Sequence, residues 1–273
     1  MLHTARGRLL LVSSSRIWYH TIDLPDGTTT PGWFDTRAAP QHVVWPEGLR
    51  GGRCLDVGTF DGFWAFEMEK RGAAEVIALD LDDPVRLDWS YDERPRGPDR
   101  VREWSVERGP GFAAAAAAIG SGAQRVNRSV YDLDPENDGL FDVVLCGALL
   151  LHLRDPVGAL ERMRSVCRGE LLLIESLDPV LDTVARTVPA ARFAPEWDQW
   201  WRVNGAGLRR MTEVAGFEVT WTGKRFLVPF GAGAGGGLKF GRIHSIAALR
   251  LGGQGQLHQA LRARPRPPQA RPG

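Results

Sequence analysis

Apolar residues fall along the chain in short blocks separated by polar or helical stretches. Arg53-Cys-Leu-Asp-Val57, Glu75-Val-Ile-Ala-Leu-Asp80, Gln124–Val130, Phe141-Asp-Val-Val-Leu-Cys146 and Glu170–Ser176 read as strands. Phe63–Arg71, Ala113–Ile119, Pro156–Cys167 and Gly207–Ala215 read as helices, the third opened by Asp155 as N-cap and the last stopped by Gly216. Phe217–Trp221 and about Arg242–Leu249 close the series as strands. Residues 76–79 and 171–174 are apolar throughout, the mark of parallel strands buried on both faces. Strands alternating with helices predict a doubly wound α/β sheet. Ligands of such sheets bind beyond the carboxyl ends of the strands. The residues just after each strand therefore carry the chemistry.

After the first strand comes Asp56-Val-Gly58-Thr59-Phe60-Asp61-Gly62, a strand-to-helix turn. Its glycines allow close backbone approach, and the helix start offers free amides. The spacing G-x-x-x-G is not the G-x-G-x-x-G of dinucleotide binders. After the second strand, Asp80 is placed to accept two ribose hydroxyls or to serve as a solvated loop acid. After the third, Tyr131-Asp132 offers an acceptor for an adenine amine or a turn cap. After the fourth runs Cys146-Gly147 to His152-Leu-Arg-Asp155-Pro156. The ordered set points to an adenosyl ligand.

These motifs resemble those of class I S-adenosylmethionine-dependent methyltransferases over about residues 50–222. The resemblance implies a Rossmann-like seven-stranded sheet with its last strand antiparallel, and S-adenosylmethionine as cofactor. It places Gly58, Thr59 and Gly62 against the methionine moiety, with Asp56 beside them. Asp80 goes to the ribose with Leu81, Asp132 to the adenine with Tyr131, and Cys146 and Gly147 to the sulfonium. Phe60 stands where the family usually has glycine. Tyr19-His20, Asp26-Gly27 to Asp35, and Trp200-Trp201-Arg-Val-Asn204 resemble the branch that includes the tRNA wobble-uridine carboxymethyltransferases. That enzyme type grips a carboxylated donor with lysines, a tyrosine and an arginine. Here no lysine precedes Lys70, and Leu151 occupies the tyrosine position. An apolar side chain cannot bond a carboxylate, so methyl rather than carboxymethyl transfer is expected, with Arg154 or Arg202 as the arginines that could substitute in the grip.

Methyl transfer from a sulfonium needs alignment, and a hydroxyl or amine acceptor also needs a base. His152 and His20 are the candidate catalytic residues, each alternatively a structural histidine. Trp33, Phe34, Trp200 and Trp201 either wall an acceptor pocket or pack an added layer. The expected acceptor is a small molecule such as a sugar or polyketide; tRNA is the alternative. A nicotinamide oxidoreductase is disfavoured by the first-turn spacing, and a non-catalytic adenosyl binder stays open.

Composition narrows this further. Of 273 residues 43% are hydrophobic and 25% charged, ordinary for a folded protein. Basic residues number 34 against 33 acids, which does not suit a surface built for nucleic acid. No apolar run approaches the roughly 18 residues of a membrane span. Cys54, Cys146 and Cys167 are too few and scattered for a disulfide framework or zinc site, which suits a cytoplasmic setting. Three units are expected: residues 1–49 as an N-terminal lid, 50–250 as the ligand-binding domain, and 251–273 as a disordered Arg/Pro-rich tail. The Gly-rich stretch 231–237 is expected as a mobile lip.

Overall fold

The computed structural model describes residues 18–91, 108–195, 199–237 and 254–267. The chain begins with short strands β1 (Trp18–His20) and β2 (Gly32–Phe34), followed by β3 (Arg53–Val57), helix α1 (Phe63–Lys70) and β4 (Glu75–Asp80). Helix α2 (Arg108–Ile119), β5 (Gln124–Asn127), the single turn α3 (Pro135–Asp138) and β6 (Phe141–Gly147) come next. Then follow α4 (Pro156–Val166), β7 (Cys167–Ser176), α5 (Pro179–Val184), β8 (Ala191–Phe193) and β9 (Trp201–Val203). Helix α6 (Gly205–Val214), β10 (Phe217–Thr222), β11 (Phe226–Pro229) and β12 (Gly255–Pro265) complete the order. Among the described residues no helix is long and apolar enough to cross a membrane.

The main sheet has the order β10-β12-β7-β6-β3-β4-β5, with β11 also paired to β12. Strands β3 to β7 are mutually parallel, and β12 runs antiparallel to both β7 and β10. The expected seven-strand path with one antiparallel member is present, and β11 makes an eighth strand. Leu171 and Leu173 face one core, with Leu160, Met163 and Phe217, while Leu172 and Ile174 face the other, with Phe66, Met68 and Phe112. Strand β7 is thus apolar on consecutive residues because it is buried on both faces. The α4 N-cap is Asp155, whose carboxylate accepts from the Gly158 amide at 2.8 Å.

Two expectations need correction. Composition predicts a disordered tail from 251, yet Gly255–Pro265 is the longest strand of the sheet and lies between β7 and β10. Two arginines here have partners: Arg262 in the strand donates to both oxygens of Glu170 at 2.7 Å, and Arg266 just beyond it donates to the Phe217 carbonyl at 2.8 Å. The strand expected at Arg242–Leu249 lies outside the described residues. The sequence of helix α1 reads as two-faced, but Phe63 to Met68 are all buried, Glu67 included. The N-terminal segment covers the face expected to meet water: Trp45 packs on Trp64, with ring centroids 6.2 Å apart.

That segment follows a definite course. β1 and β2 pair in parallel, Trp18 opposite Gly32 and His20 opposite Phe34. Thr30 braces them, its hydroxyl donating to the His20 carbonyl and accepting from the Ile22 amide, both at 2.8 Å. Residues 19–36 lie at the carboxyl edge of the sheet, tied to the loop after β3 through Asp61. The chain then descends the sheet face, His42 stacking on Phe226, to Gly52 just before β3. Gly231–Ala234 packs onto this segment, with the Gly231 amide donating to the Trp33 carbonyl at 2.8 Å, rather than standing off as a free lip.

Leu261 on β12 is 1% exposed. Leu261→Ala is expected to cost about 2–5 kcal/mol, as for other buried leucines, in thermal or urea denaturation. A loss below about 0.5 kcal/mol, the scale of surface changes, would show β12 to be peripheral.

Candidate active site

The turn after β3 folds back on β4. The Gly58 amide donates to the Leu79 carbonyl at 2.8 Å and the Gly62 amide to the Thr59 carbonyl at 2.8 Å. Gly58, Phe60 and Gly62 have φ of 77°, 49° and 95°. Phe60 therefore keeps the left-handed backbone that glycine would adopt freely, at a cost of order 1–2 kcal/mol. Asp80 offsets it. Its carboxylate is buried and accepts from the Phe60 and Leu81 amides, each at 2.7 Å. Such charged hydrogen bonds contribute about 1.5–3 kcal/mol each. The Phe60 ring turns to the N-terminal segment, 5.0 Å from that of Tyr19. Gly62 is a packing residue: a Cβ there would meet the Phe66 ring and come within 2.8 Å of Phe112.

Beyond the strand ends lies a cleft of about 630 Å³, lined by Gly58, Asp80, Leu81, Arg86, Tyr131 and His152 among others. Of the expected adenine pair, Tyr131 lines this cleft and Asp132 does not. Asp132 is exposed and faces Arg86 across 3.6 Å. Tyr131 is fixed by its hydroxyl, which donates to Asp88 at 2.8 Å and accepts from the Asp155 amide at 3.1 Å. Burial raises the Tyr131 phenol above its usual range.

Behind Gly58, Asp56 and Thr59 are each 1% exposed. Oδ2 of Asp56 and Oγ1 of Thr59 have no hydrogen-bond partner among the described residues. The Thr59 hydroxyl stands close enough to favour the Asp56 anion without completing a bond. Burial wins, pushing the Asp56 carboxyl up to about 6. A buried acceptor pair beside a glycine turn calls for a donor from the cleft.

Cys146, expected near the sulfonium, is instead wholly inside the core, its thiol pushed far up by burial. Gly147 does reach a site. With Tyr19, His20, Thr36, Trp64 and His258 it lines a second cavity of about 330 Å³. Val57 of β3 pairs with Cys146 of β6. Gly58 and Gly147 are thus the next residues along these neighbouring strands, and the two cavities open on either side of them. Ala148, also lining the second cavity, has φ 50°.

His20 is held by Asp61. One carboxylate oxygen accepts from the Tyr19 and His20 amides at 2.8 and 2.9 Å, and the other pairs with Nδ1 of the imidazole. His258 is held by a carbonyl, its Nδ1 donating to Gln256 at 3.0 Å, and burial lowers its pKa to about 4. Thr36 is buried in the same wall, its hydroxyl without a partner among the described residues. Sequence reasoning does not single out Asp61, Thr36 or His258 as site residues. Asp61 has a signal, lying between Gly58 and Gly62. His258 has none, because its segment reads as the start of a disordered tail.

The aromatic candidates divide. Phe34 lines the second cavity. Trp33 packs edge-on to Tyr19, centroids 6.3 Å apart. Trp200 and Trp201 line neither cavity named above. Their indoles donate to the carbonyls of Asp88 and Arg154, at 2.5 and 3.2 Å, fastening the cleft's outer wall. Leu151 lines a separate hollow with Trp201, Met211 and Glu175.

Residues 37–221, more than half of the chain, match a family described as a methyltransferase domain. A tRNA U34 carboxymethyltransferase of Pseudomonas paraeruginosa is 27% identical over 187 residues, which cover 68% of this chain and 49% of that protein. Its counterpart in Psychrobacter arcticus is 28% identical over 188 residues, covering 68% and 48%. The chain spans about half the length of the curated relatives it matches. Of solved structures, the N-terminal domain of EvdMO1 with SAH bound aligns with a TM-score of 0.55 at 16% identity, over 96% of this chain and 95% of that one. A putative methyltransferase of Bacillus halodurans C-125 aligns with a TM-score of 0.52 at 16% identity, over 85% and 98%. At these identities the likeness is one of fold.

Asp61→Ala removes the acceptor of two amides and one imidazole at once. The expected cost is of order 3–5 kcal/mol, the scale for breaking a buried charged network, read by thermal denaturation. The Tyr19 and His20 amides are expected to lose their protection in hydrogen exchange while the amides of β6 and β7 keep theirs. Unchanged protection at Tyr19 and His20 would show that Asp61 does not hold the segment.

Proposed function

The chain belongs to the methyltransferase domain family, and from that premise we propose that it binds S-adenosylmethionine in the cleft at Gly58 and Asp80 and methylates a small-molecule acceptor. The observation that carries this reading is the pair of orphaned buried acceptors, Asp56 Oδ2 and Thr59 Oγ1, behind a glycine turn. An amino-acid ammonium delivered past Gly58 satisfies both. The Asp80 carboxylate, its plane fixed by two amides, receives the ribose hydroxyls, each of its oxygens accepting more than one bond. Leu81 and Tyr131 enclose the base, with Ser129 and Val130 beside them. Gly147 stands where the methyl group would face the second cavity. The EvdMO1 domain, of the same fold, was solved with SAH, the demethylated form of such a donor. When bound, the donor supplies a methyl group on an activated sulfonium.

The chain's own residues position and exclude. Phe60 and Tyr19 close the turn from outside, and the N-terminal segment shields the second cavity. Of the two histidines, His152 lines the donor cleft. His20 lies on the acceptor side with a carboxylate behind it, and is the better placed base. Among the described residues that line the second cavity there is no lysine or arginine. Arg154 is engaged elsewhere, its guanidinium 4.8 Å over the Trp200 ring and donating to the Trp89 carbonyl at 3.0 Å. A carboxylated donor would bury its extra charge without a cation, so methyl transfer is favoured over the carboxymethyl transfer named for the relatives.

Calorimetry with S-adenosylmethionine tests this reading. Asp80→Ala is expected to weaken binding by about 1.5–3 kcal/mol. Unchanged affinity would remove Asp80 from the site. A carboxylated donor is expected to bind more weakly in competition, and tighter binding would favour the tRNA reading.

The pH dependence has a definite sign. The ammonium needs an ionised Asp56, whose carboxyl, raised from 3.8 to about 6, gains its proton as pH falls through that value. Affinity is therefore expected to fall below about pH 6. Asp56→Asn is expected to bind more weakly at pH 7 and to lose this dependence between pH 5 and 7. A wild-type affinity flat across that window would overturn the Asp56 assignment.

A further inference from the structure

We infer that the second cavity is the acceptor site and selects an uncharged planar ring bearing at least two O–H or N–H donors, with His20 taking the proton from the group to be methylated and His258 accepting from the other. This rests on the proposed methyl-transfer reading and goes beyond it by naming the acceptor class.

The cavity's walls set the flatness. Tyr19, Phe34 and Trp64 supply aromatic surface, which favours a flat ring over a bulky aliphatic group. The charge follows from what is missing and what is committed. None of the described lining residues is an acid, lysine or arginine. The nearby Asp61 carboxylate already accepts from two amides and the His20 ring. An ionised acceptor would lose its hydration for no partner.

The hydrogen-bond inventory sets the donors. To serve as base, His20 turns Nδ1–H to Asp61, which leaves Nε2 as an acceptor. In His258, Nδ1–H faces the Gln256 carbonyl, so its Nε2 is likewise an acceptor. Burial keeps His258 neutral at ordinary pH. The Thr36 hydroxyl, buried and without a partner among the described residues, takes either role. Two imidazole acceptors facing one cavity are best met by a ligand that brings two donors, the Tyr19 and Thr36 hydroxyls and the Trp64 indole being the other polar side-chain groups of the described lining. An acceptor with one donor leaves an imidazole nitrogen dry and unpaired, a loss that polar sites use to discriminate strongly.

Of the two rings, only His20 has a carboxylate behind it. Asp61 holds the tautomer and stabilises the imidazolium that forms on proton uptake. The acceptor's proton passes to His20 Nε2. The electron pair left on oxygen or nitrogen forms the new bond to the methyl carbon. The carbon–sulfur pair stays with sulfur, giving a neutral thioether. Asp61 keeps its hydrogen bond to Nδ1 throughout. His258 fixes the ring's orientation and is a positioning residue.

The test uses the full chain with labelled S-adenosylmethionine and four probes: catechol, resorcinol, phenol and 3,4-dihydroxybenzoate. Donor binding is measured separately by calorimetry. Catechol or resorcinol is expected to be methylated with kcat/KM at least tenfold above phenol and a hundredfold above the benzoate. His20→Gln is expected to lower kcat by 10²–10⁴, the scale of general-base catalysis, with donor affinity unchanged. His258→Phe is expected to raise KM for the two-donor probe about tenfold and to narrow its advantage over phenol, and His258→Gln to recover some of that preference. Equal use of phenol or of the benzoate overturns the inference, as does refusal of both two-donor rings by a protein that binds S-adenosylmethionine. If S-adenosylmethionine itself does not bind, it is the methyl-transfer reading that fails.

Discussion

One buried carboxylate joins the two halves of the site. Asp61 lies in the turn that leaves β3, and its three donors all come from residues 19 and 20, some forty positions earlier. At 1% exposure it has no water to fall back on. A carboxylate so enclosed is stable only while its lone pairs are filled, and among the described residues the N-terminal segment fills them. The bond network therefore does more than fasten a strap. It sets the height of Tyr19 above Phe60, fixes the tautomer of His20, and closes the second cavity by bringing Phe34 and Thr36 alongside. The turn and the segment form one unit.

Asp80 has the corresponding role at the end of the neighbouring strand. It holds the amides of Phe60 and Leu81 and keeps a phenylalanine in a backbone region that bulky residues avoid. The departure from glycine at Phe60 is thereby explained. The backbone retains the glycine-like conformation, and the added ring becomes the surface on which Tyr19 rests. What looks in the sequence like a defect in the donor turn is the contact that couples this turn to its cover.

The strands β3, β4, β6 and β7 are legible because parallel strands buried on both faces must be apolar at consecutive positions, and few other elements are. The post-strand acids are legible for a related reason: the carboxyl edge is where such a sheet binds. Asp132 and Tyr131 are harder to separate, since a one-residue difference in a tight turn exchanges cleft for solvent. Strand β12 is not legible at all. Arginine and proline density reads as a solvated tail when charges are counted without partners. Glu170, at the start of the apolar run of β7, is the partner that composition cannot reveal. With β12 goes His258, and with it one wall of the second cavity. The burial of α1 is hidden in the same way, because its outer face is covered by a segment with no periodicity of its own.

The two cavities differ in electrical character, and the difference bears on the proposed chemistry. The donor cleft has Arg86, Arg128, Asp80 and Asp88 in its lining, whereas the described lining of the second cavity has two imidazoles, the Tyr19 and Thr36 hydroxyls, the Trp64 indole and apolar surface, with no acid, lysine or arginine. A reaction that created separated charges in the second cavity would meet the full cost of a low-dielectric wall. In the proposed transfer it does not. His20 becomes cationic as the sulfonium is neutralised, so one positive charge is moved rather than made. Asp61 already lies against the atom pair where that charge ends. The anion that secures the N-terminal segment is also the counter-ion of the proposed product state. The same carboxylate thus answers to folding and to chemistry, and a substitution that satisfied one need, such as an uncharged amide that still accepts from the two backbone donors, would leave the other unmet.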